Sequence, residues 1–518
     1  MKTMAKQIFW NALLLTGANL LMRTVSVSFG VFVSNRAGEE AMGLYSLMSG
    51  VYGFALTLAT SGIQLGVTRL IADALGRDNP QRIRSVMRCA TLYALTFGLF
   101  ATGLLMGLAT PIGMHWLKDG RTVSSLRLFA ISLPFIALSS VWNGYFTAVR
   151  RVYKNAAVQV SEQGIKIALT MYLLASFAGR DVERILQALV LGGALAEILS
   201  FFPSLFLYLH DRKHHYKGRP IPQTGVASSL LRLSLPIALT TYIRSGLVTI
   251  QHVLIPEGLR NSGASHAAAL RAYGSIHSMA LPIILYPAAL ISSFSGLLVP
   301  ALAECVARKS NKRVCYIVGR VWSLALLFSF GAAGLLICFS SEIGEALYPG
   351  TEAGRYIHLL APLIPIMYVD TATDAMMKGL GAQVYSMNVN LADALISVLL
   401  VWLLVPRYGI GGYLFTVYFS ELFNTVLSIN HLLNISRPAV RLLKWVYKPL
   451  LCTVGATAAV RLLAFLFPSL LSSFPLVGLC ALTLLLYLGL LLITGALERE
   501  DLCWLSSLFR REAIPSEE

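Results

Sequence analysis

With 518 residues, 56% of them hydrophobic and only 13% charged, and a mean hydropathy of +0.68, the chain lacks the polar surface that soluble domains of this total length would need. Largely apolar runs recur from end to end, and a bilayer-spanning helix needs about 20 such residues, so an all-α polytopic membrane protein is expected and a disordered, collagen-like or disulfide-built chain is excluded. The net charge of +17, from 42 Lys and Arg against 25 Asp and Glu, would suggest nucleic acid for a soluble protein; here it reads as cytoplasmic loops obeying the positive-inside rule, with no nucleic-acid partner.

In chain order, hydropathy predicts fourteen transmembrane helices, over about 8–33, 43–67, 86–113, 126–148, 156–178, 184–209, 229–255, 267–300, 315–340, 356–379, 384–405, 411–434, 446–466 and 475–497. Alternate loops are basic: Arg77/Arg82/Arg84/Arg88, Arg150/Arg151/Lys154, Arg212/Lys213/Lys217/Arg219, Arg308/Lys309/Lys312/Arg313 and Arg437/Arg441/Lys444/Lys448. The other loops are bare or acidic, as at Glu39/Glu40 and Glu342/Glu345/Glu352. The basic set is placed in the cytoplasm, which puts both termini there, as an even helix count requires. Lys2 and Lys6 precede the first apolar run without a small-residue cleavage site, so that run is expected to be a retained helix. The seven cysteines show no C-x-x-C spacing and read as small apolar residues.

This order divides into an N-lobe (1–210, helices 1–6), a cytoplasmic linker (211–228), a C-lobe (229–434, helices 7–12), a helix pair (435–497) and a cytoplasmic tail (498–518). The linker is basic, with Pro220 and Pro222; His210 just before it and His214 and His215 within it stand without acidic or cysteine partners at ligand spacing and read as solvated. In the tail, Leu502, Leu505 and Leu508 share one side of a possible surface helix. The lobes overlay on each other. Pro134 matches Pro365, Glu162 matches Asp393, and Asp73 matches Glu304, all at one separation; small changes in loop length pair Glu197 with Glu421 and Arg23 with Arg244. Two six-helix halves of one orientation form a parallel repeat, which in transporters places the substrate site between the halves near the midplane.

Ionisable residues inside spans cost at least roughly 2.5–3.5 kcal/mol each, and so mark cavities or partners. Arg23 and Arg244 lie well inside their helices with no acid at i±3 or i±4, and Arg271 lies near the outer end of helix 8. Arg is always charged and its fork grips phosphate bidentately, so the three would suit a pyrophosphate; salt bridges to Asp393 or Asp374 are the bland alternative. Glu162–Lys166 and Asp374–Lys378 are i,i+4 pairs with the acid first, able to neutralise themselves or to serve coupling. Asp370, Asp374 and Lys378 stand at the repeat positions of Ser139, Asn143 and Thr147, so both fourth-in-lobe helices carry a polar stripe suited to a water-filled cavity. The candidate substrate contacts are thus Arg23, Arg244, Arg271, Asp374 and Asn143. The candidate coupling or cavity residues are Glu162, Lys166, Asp370, Lys378 and Asp393. Glu197 and Glu421 read as ties between helices, and His252 and His277 as packing hydrogen-bonders. No nucleotide, zinc-protease or nucleophile-elbow motif is present, so neither an enzyme nor a cofactor is expected.

The opening MAKQIFWNALLLTGANLLMRTVSV, the loop RAGEEAMGLYS, SGIQLGVTRLIADALGRDN, VPALAECVARKSNKR and GIGGYLFTVYFSELFN resemble the MATE/oligosaccharide-flippase superfamily, and within it the stage V sporulation protein B-like polysaccharide transporters. The resemblance implies a flippase in the bacterial inner membrane. It would turn an undecaprenyl-pyrophosphate-linked saccharide, such as a peptidoglycan precursor for the spore cortex, between leaflets by alternating access, with H+ or Na+ as the candidate coupling ion. It also implies that Arg23, Arg244 and Arg271 hold the pyrophosphate. The superfamily's drug exporters favour an acid in the first helix, and here Arg23 is the charge inside that span; a cation-coupled multidrug exporter is the rival reading, with a non-transporting scaffold or a transferase further off.

Overall fold

The computed structural model describes residues 2–76, 80–176, 181–215, 225–438, 441–466 and 475–497, and among them there is helix and no strand. Half of the 211–228 linker (216–224) and all of the 498–518 tail lie outside the described residues. Helix is the expected answer for apolar sequence in a bilayer, where each backbone N–H and C=O must be satisfied within its own segment.

The helices are α1 (Lys2–Thr60), α2 (Ile63–Gly76), α3 (Pro80–Pro111), α4 (Thr122–Ala148), α5 (Val152–Ser176), α6 (Val182–His215), α7 (Val226–Asn261), α8 (His266–Gly274), α9 (Leu281–Leu285), α10 (Ala288–Ala307), α11 (Asn311–Cys338), α12 (Ser340–Leu347), α13 (Ala353–Leu360), α14 (Ile364–Gly379), α15 (Gln383–Tyr408), α16 (Ile410–Ser436), α17 (Lys448–Leu466) and α18 (Leu476–Ile493). Helix occupies most of each of the fourteen expected stretches. Nine runs among the described residues are long and apolar enough, by length and composition, to cross a membrane. Three of the five missing spans have physical causes. Leu20–Gly76 forms one continuous run, α5 carries Lys154, Glu162 and Lys166, and α14 packs Asp370, Asp374 and Lys378 into 16 residues. Within α1 the backbone turns at Gly38 (φ 78°, ψ 166°), a region open essentially to glycine alone. This kink makes two rods of α1, where the sequence predicts the first two spans.

By packing, the chain divides into two compact units, one of residues 1–274 with 394–413, the other of 275–393 with 414–518. In the first unit, α3 meets α4 where Thr102 Oγ1 donates to the Ala130 carbonyl at 3.0 Å and Gly98 faces Pro134. The Tyr52 ring of α1 stacks on Phe129 of α4 at 4.2 Å. The second rod of α1 also packs on α7 and α8: Thr249 Oγ1 donates to the Gly50 carbonyl at 3.0 Å, and Gly43 lies against the Leu270 backbone. At the ends of α5 and α6, the buried Asp211 accepts from Tyr145 Oη at 2.8 Å and Lys154 Nζ at 2.7 Å and also pairs with Arg151.

In the second unit, Trp322 Nε1 of α11 donates to Thr373 Oγ1 of α14 at 3.0 Å, and Tyr368 Oη donates to the Ile284 carbonyl at 2.7 Å. The terminal pair α17–α18 docks on α11 through a core of Leu327, Cys452, Ala456, Tyr487 and Leu491. Tyr487 Oη donates to the Leu327 carbonyl at 2.7 Å, and Arg461 of α17 reaches Glu342 at 2.7 Å. Helices α12 and α13 touch backbone to backbone, since a Cβ on Gly344 would overlap the Cα of Gly354. Gly344→Ala is therefore expected to destabilise the protein by about 1–3 kcal/mol, the usual cost of overpacking, measured by thermal unfolding of the purified protein.

Candidate functional site

Each unit carries a polar constellation on helices that are otherwise apolar. In the first unit, Arg23 sits on the first rod of α1, half-buried, and its Nε is buried without a hydrogen-bond partner. One turn further along the same rod, Ser26 Oγ accepts from Gln163 Nε2 of α5 at 3.2 Å, which brings the α1 arginine face to α5. Arg244 is exposed on α7, next to Ser245, whose Oγ accepts from Thr57 Oγ1 of α1 at 3.2 Å. Among the described residues neither Arg23 nor Arg244 forms an ion pair with a carboxylate. Arg271 is exposed on α8, beside the Leu270 backbone that packs on Gly43. Asn143 of α4 uses its carbonyl, which accepts from Thr147 Oγ1 at 2.7 Å and from Asn155 Nδ2 at 3.1 Å.

On α5 and α6 the structure gathers Glu162, Lys166 and Glu197 within electrostatic range of one another, and the two glutamates within range of Tyr52. Although spaced i,i+4, Glu162 and Lys166 make no direct ion pair; the Lys166 Cε lies within 3.9 Å of a Cβ built on Gly193 of α6. In the second unit the same spacing has the other outcome. Lys378 Nζ pairs with Asp374 Oδ2 at 2.6 Å, and Asp374 Oδ1 accepts from Ser386 Oγ at 2.5 Å. Around that pair runs a chain of hydrogen bonds across α15 and α16. Ser420 Oγ donates to Asp393 at 2.6 Å, Asn390 Nδ2 donates to the Ser386 carbonyl at 2.8 Å, and Asn424 Nδ2 donates to Asn390 Oδ1 at 3.3 Å. Asp370 and Asp393 both lie within electrostatic range of Glu421, and Asp370 Oδ1 is buried without a hydrogen-bond partner.

Two carboxylates thus recur in each unit at positions matched by the sequence repeat: Glu162 with Glu197, and Asp393 with Glu421. Three acids of the second unit, Asp370, Asp393 and Glu421, lie within electrostatic range, and like charges in a low-dielectric setting repel strongly; among the described residues they do not form a cluster with metal-binding geometry. The first unit offers the opposite chemistry, two arginines without counter-charges among the described residues.

Sequence reasoning missed one polar network altogether, in the first unit, where the turn between α3 and α4 meets α1, α7 and α8. Asp119 is buried there, and its carboxylate accepts from Arg121 Nη2 at 2.6 Å and faces His266 Nε2 at 3.3 Å. Burial pushes the Asp119 carboxyl up, but the Arg121 side-chain and backbone hydrogen bonds, the guanidinium charge and His266 together outweigh it and hold the group below its ordinary value. Arg121 also donates to Glu40 at 3.0 Å, and Lys118 pairs with Glu257. No local spacing announces the contacts to α1, α7 and α8, since the partners lie far apart in sequence.

Residues 8–306 match the family model described as polysaccharide biosynthesis protein. The chain is 26% identical over 416 residues to the stage V sporulation protein B of Bacillus subtilis, covering 79% of this chain and 80% of that protein. Among solved structures, the lipid II flippase MurJ in an inward closed conformation aligns over 96% of this chain and 99% of that one, with a TM-score of 0.66 at 13% identity. An inward-facing multidrug resistance MATE family transporter of the MOP superfamily aligns over 82% of this chain and 100% of that one, with a TM-score of 0.61 at 14% identity. At such identities the two structures establish a shared fold.

Proposed function

From the premise that this chain belongs to the polysaccharide biosynthesis protein family, with the fold of MOP superfamily transporters and a multi-pass membrane architecture, we propose that it is a flippase for a polyprenyl-pyrophosphate-linked saccharide. It works by alternating access in the bacterial inner membrane, both termini lie in the cytoplasm, and the cargo is an undecaprenyl-linked precursor of peptidoglycan or another polysaccharide, the spore cortex included. The observation that carries this reading is Arg23, whose buried Nε has no acceptor among the described residues, on a first helix that lacks the acid a cation exporter would favour. A buried donor without an acceptor is costly, and a pyrophosphate oxygen supplies the acceptor. Arg244 and Arg271 add positive charge, while Asp374 and Asn143 offer acceptors and donors for sugar hydroxyls. Glu162, Lys166, Asp370, Lys378 and Asp393 serve as coupling residues for H+ or Na+. The test is binding and flipping of a polyprenyl-pyrophosphate saccharide in proteoliposomes against the same lipid bearing a neutral head group; equal transport of both overturns the proposal.

A second reading has its own support. The carboxylate-rich second unit, Asp370, Asp393 and Glu421 among hydroxyl and amide groups, suits a cation-coupled multidrug exporter, and gradient-driven efflux of an organic cation without transport of the lipid would favour it. Either transporter has the same expected topology. A cysteine in place of Gln223 in the linker should be labelled by a membrane-impermeant thiol reagent from the cytoplasmic side only. Labelling from outside would reverse the loop assignment and the inside location of both termini.

A further inference from the structure

The turn at 117–121 ties four separate pieces of the first unit at one end of its helices. Lys118 pairs with Glu257 near the end of α7, Asp119 with His266 at the start of α8, and Arg121 joins Asp119 to Glu40, just past the Gly38 kink of α1. Lys118 holds a left-handed backbone (φ 53°), a conformation that costs a non-glycine residue energy and persists only where its surroundings enforce it. Beneath this turn, α1 and α8 meet along bare backbone: a Cβ on Gly43 would overlap the Leu270 carbonyl oxygen, and one on Gly274 would overlap the Glu39 carbonyl oxygen. Along this seam the two backbones meet directly; α8 is also tied to α7 by the Tyr273–His252 hydrogen bond at 2.7 Å, and the polar links of the turn add a second hold on it from above. Those links are partly exposed, with the Lys118 and Glu257 side chains 38% and 34% accessible, and pairs of that kind are individually weak and reversible. The rod that they pin is short. Helix α8 has nine residues, begins after a turn at Gly263 (φ 103°) and runs on into a π-helical turn over Ser275–Ala280. Glycine turns and π-turns are the usual places where a rod can be displaced as a unit.

We propose that the 117–121 turn is a releasable strap: while Lys118–Glu257 and Asp119–His266 hold, α8 is pinned on the second rod of α1 and the seam between them is shut, and release of the strap lets α8 part from α1. The two pairs do different work. Lys118–Glu257 is the accessible, breakable link, while Asp119 is anchored from its own turn by Arg121 and presents a fixed carboxylate to His266. Opening the seam therefore breaks the contacts to α7 and α8 and leaves Arg121–Asp119–Glu40 intact on the α1 side. The device deepens the transporter reading by naming a contact that gates one face, and its opening can be measured whatever the cargo.

The reporter is Ala269→Cys on α8, a small change at a position only 1% exposed under the strap. Its labelling by a maleimide is followed by peptide mass spectrometry on purified protein in nanodiscs. Glu257→Lys, which sets two like charges face to face, should raise the labelling rate roughly tenfold or more. The charge swap Lys118→Glu/Glu257→Lys should return it towards the starting rate. The native Cys452, 3% exposed in the core of the second unit, is the folding control and should stay unlabelled throughout. An unchanged rate in a well-folded Glu257→Lys protein overturns the strap, as does a charge swap that labels as fast as the single variant. If Glu257→Lys misfolds, the pair Lys118→Cys/Glu257→Cys decides the matter. Oxidation to a disulfide should suppress labelling of the reporter thiol on α8, and reduction should restore it; labelling that continues under complete crosslinking also overturns the proposal. A protein with the strap confirmed but no lipid transport would lose the flippase reading and keep this one.

Discussion

Arg23→Ala and Arg244→Ala are each expected to cripple flipping while leaving membrane insertion and abundance near normal. Charge-assisted hydrogen bonds contribute on the order of 1.5–3 kcal/mol each, so loss of one arginine should weaken binding of the pyrophosphate lipid by roughly 10- to 150-fold. Folding should survive because neither residue is tied into an ion pair in the described structure, and the buried Arg23 Nε has no hydrogen bond to lose. Arg→Lys should rescue only in part, since an ammonium keeps the charge and forfeits the bidentate fork. A purely structural arginine would behave otherwise, with falling protein levels and rescue on neutralising an acidic partner. The measurements are lipid binding and flipping in proteoliposomes, with protein level followed alongside. Wild-type flipping by a well-folded Arg23→Ala/Arg244→Ala double variant would sink the pyrophosphate clamp and hand the field to the drug-exporter reading.

Neutralising the second unit's acids should separate transport from its ion gradient. Asp393→Asn keeps a side chain that can bond Ser420 Oγ, now 2.6 Å from the carboxylate, but removes one of the charges that face Glu421. Coupling between two ligands commonly changes affinity by about 5- to 150-fold, and gradient-driven flipping should fall within that range while downhill binding of the lipid persists. Stability should hold or rise, because the variant relieves repulsion among Asp370, Asp393 and Glu421; functional sites often retain such destabilising charge. If these acids merely tie α14, α15 and α16 together, Asp393→Asn should instead lower the unfolding temperature and leave the gradient dependence untouched. Flipping driven equally well by H+ and Na+ gradients in Asp393→Asn and in wild type would remove this residue from coupling.

Much of the molecule is written locally and so could be read from the chain. Apolar runs long enough to span a bilayer dictate helices, because no other open structure satisfies a backbone in lipid, and helix indeed occupies most of each predicted stretch. The Gly38 kink falls in the loop RAGEEAMGLYS, between the expected end of the first span and the expected start of the second. The absence of an acid within one turn of Arg23 or Arg244 is also a sequence fact, and among the described residues neither arginine finds an ion pair.

What the sequence could not decide is which local possibilities are realised. Glu162–Lys166 and Asp374–Lys378 have identical spacing and order, yet only the second closes into an ion pair, at 2.6 Å. The difference comes from the neighbouring helix: Lys166 lies over Gly193 of α6, whereas the half-exposed Lys378 folds back on its own helix. The turn at 117–121 lies wholly beyond a linear reading. Its pairs, Lys118 with Glu257 and Asp119 with His266, join residues 139 and 147 positions apart, and each looks like an ordinary loop charge until α7 and α8 are packed on α1. Composition and periodicity determined that this chain is a bundle of membrane helices carrying intramembrane cations, because those properties act within a helical turn. Only the packing of one helix on another decided which charges meet, because that depends on close backbone approaches, such as Gly43 on Leu270, that no single segment contains.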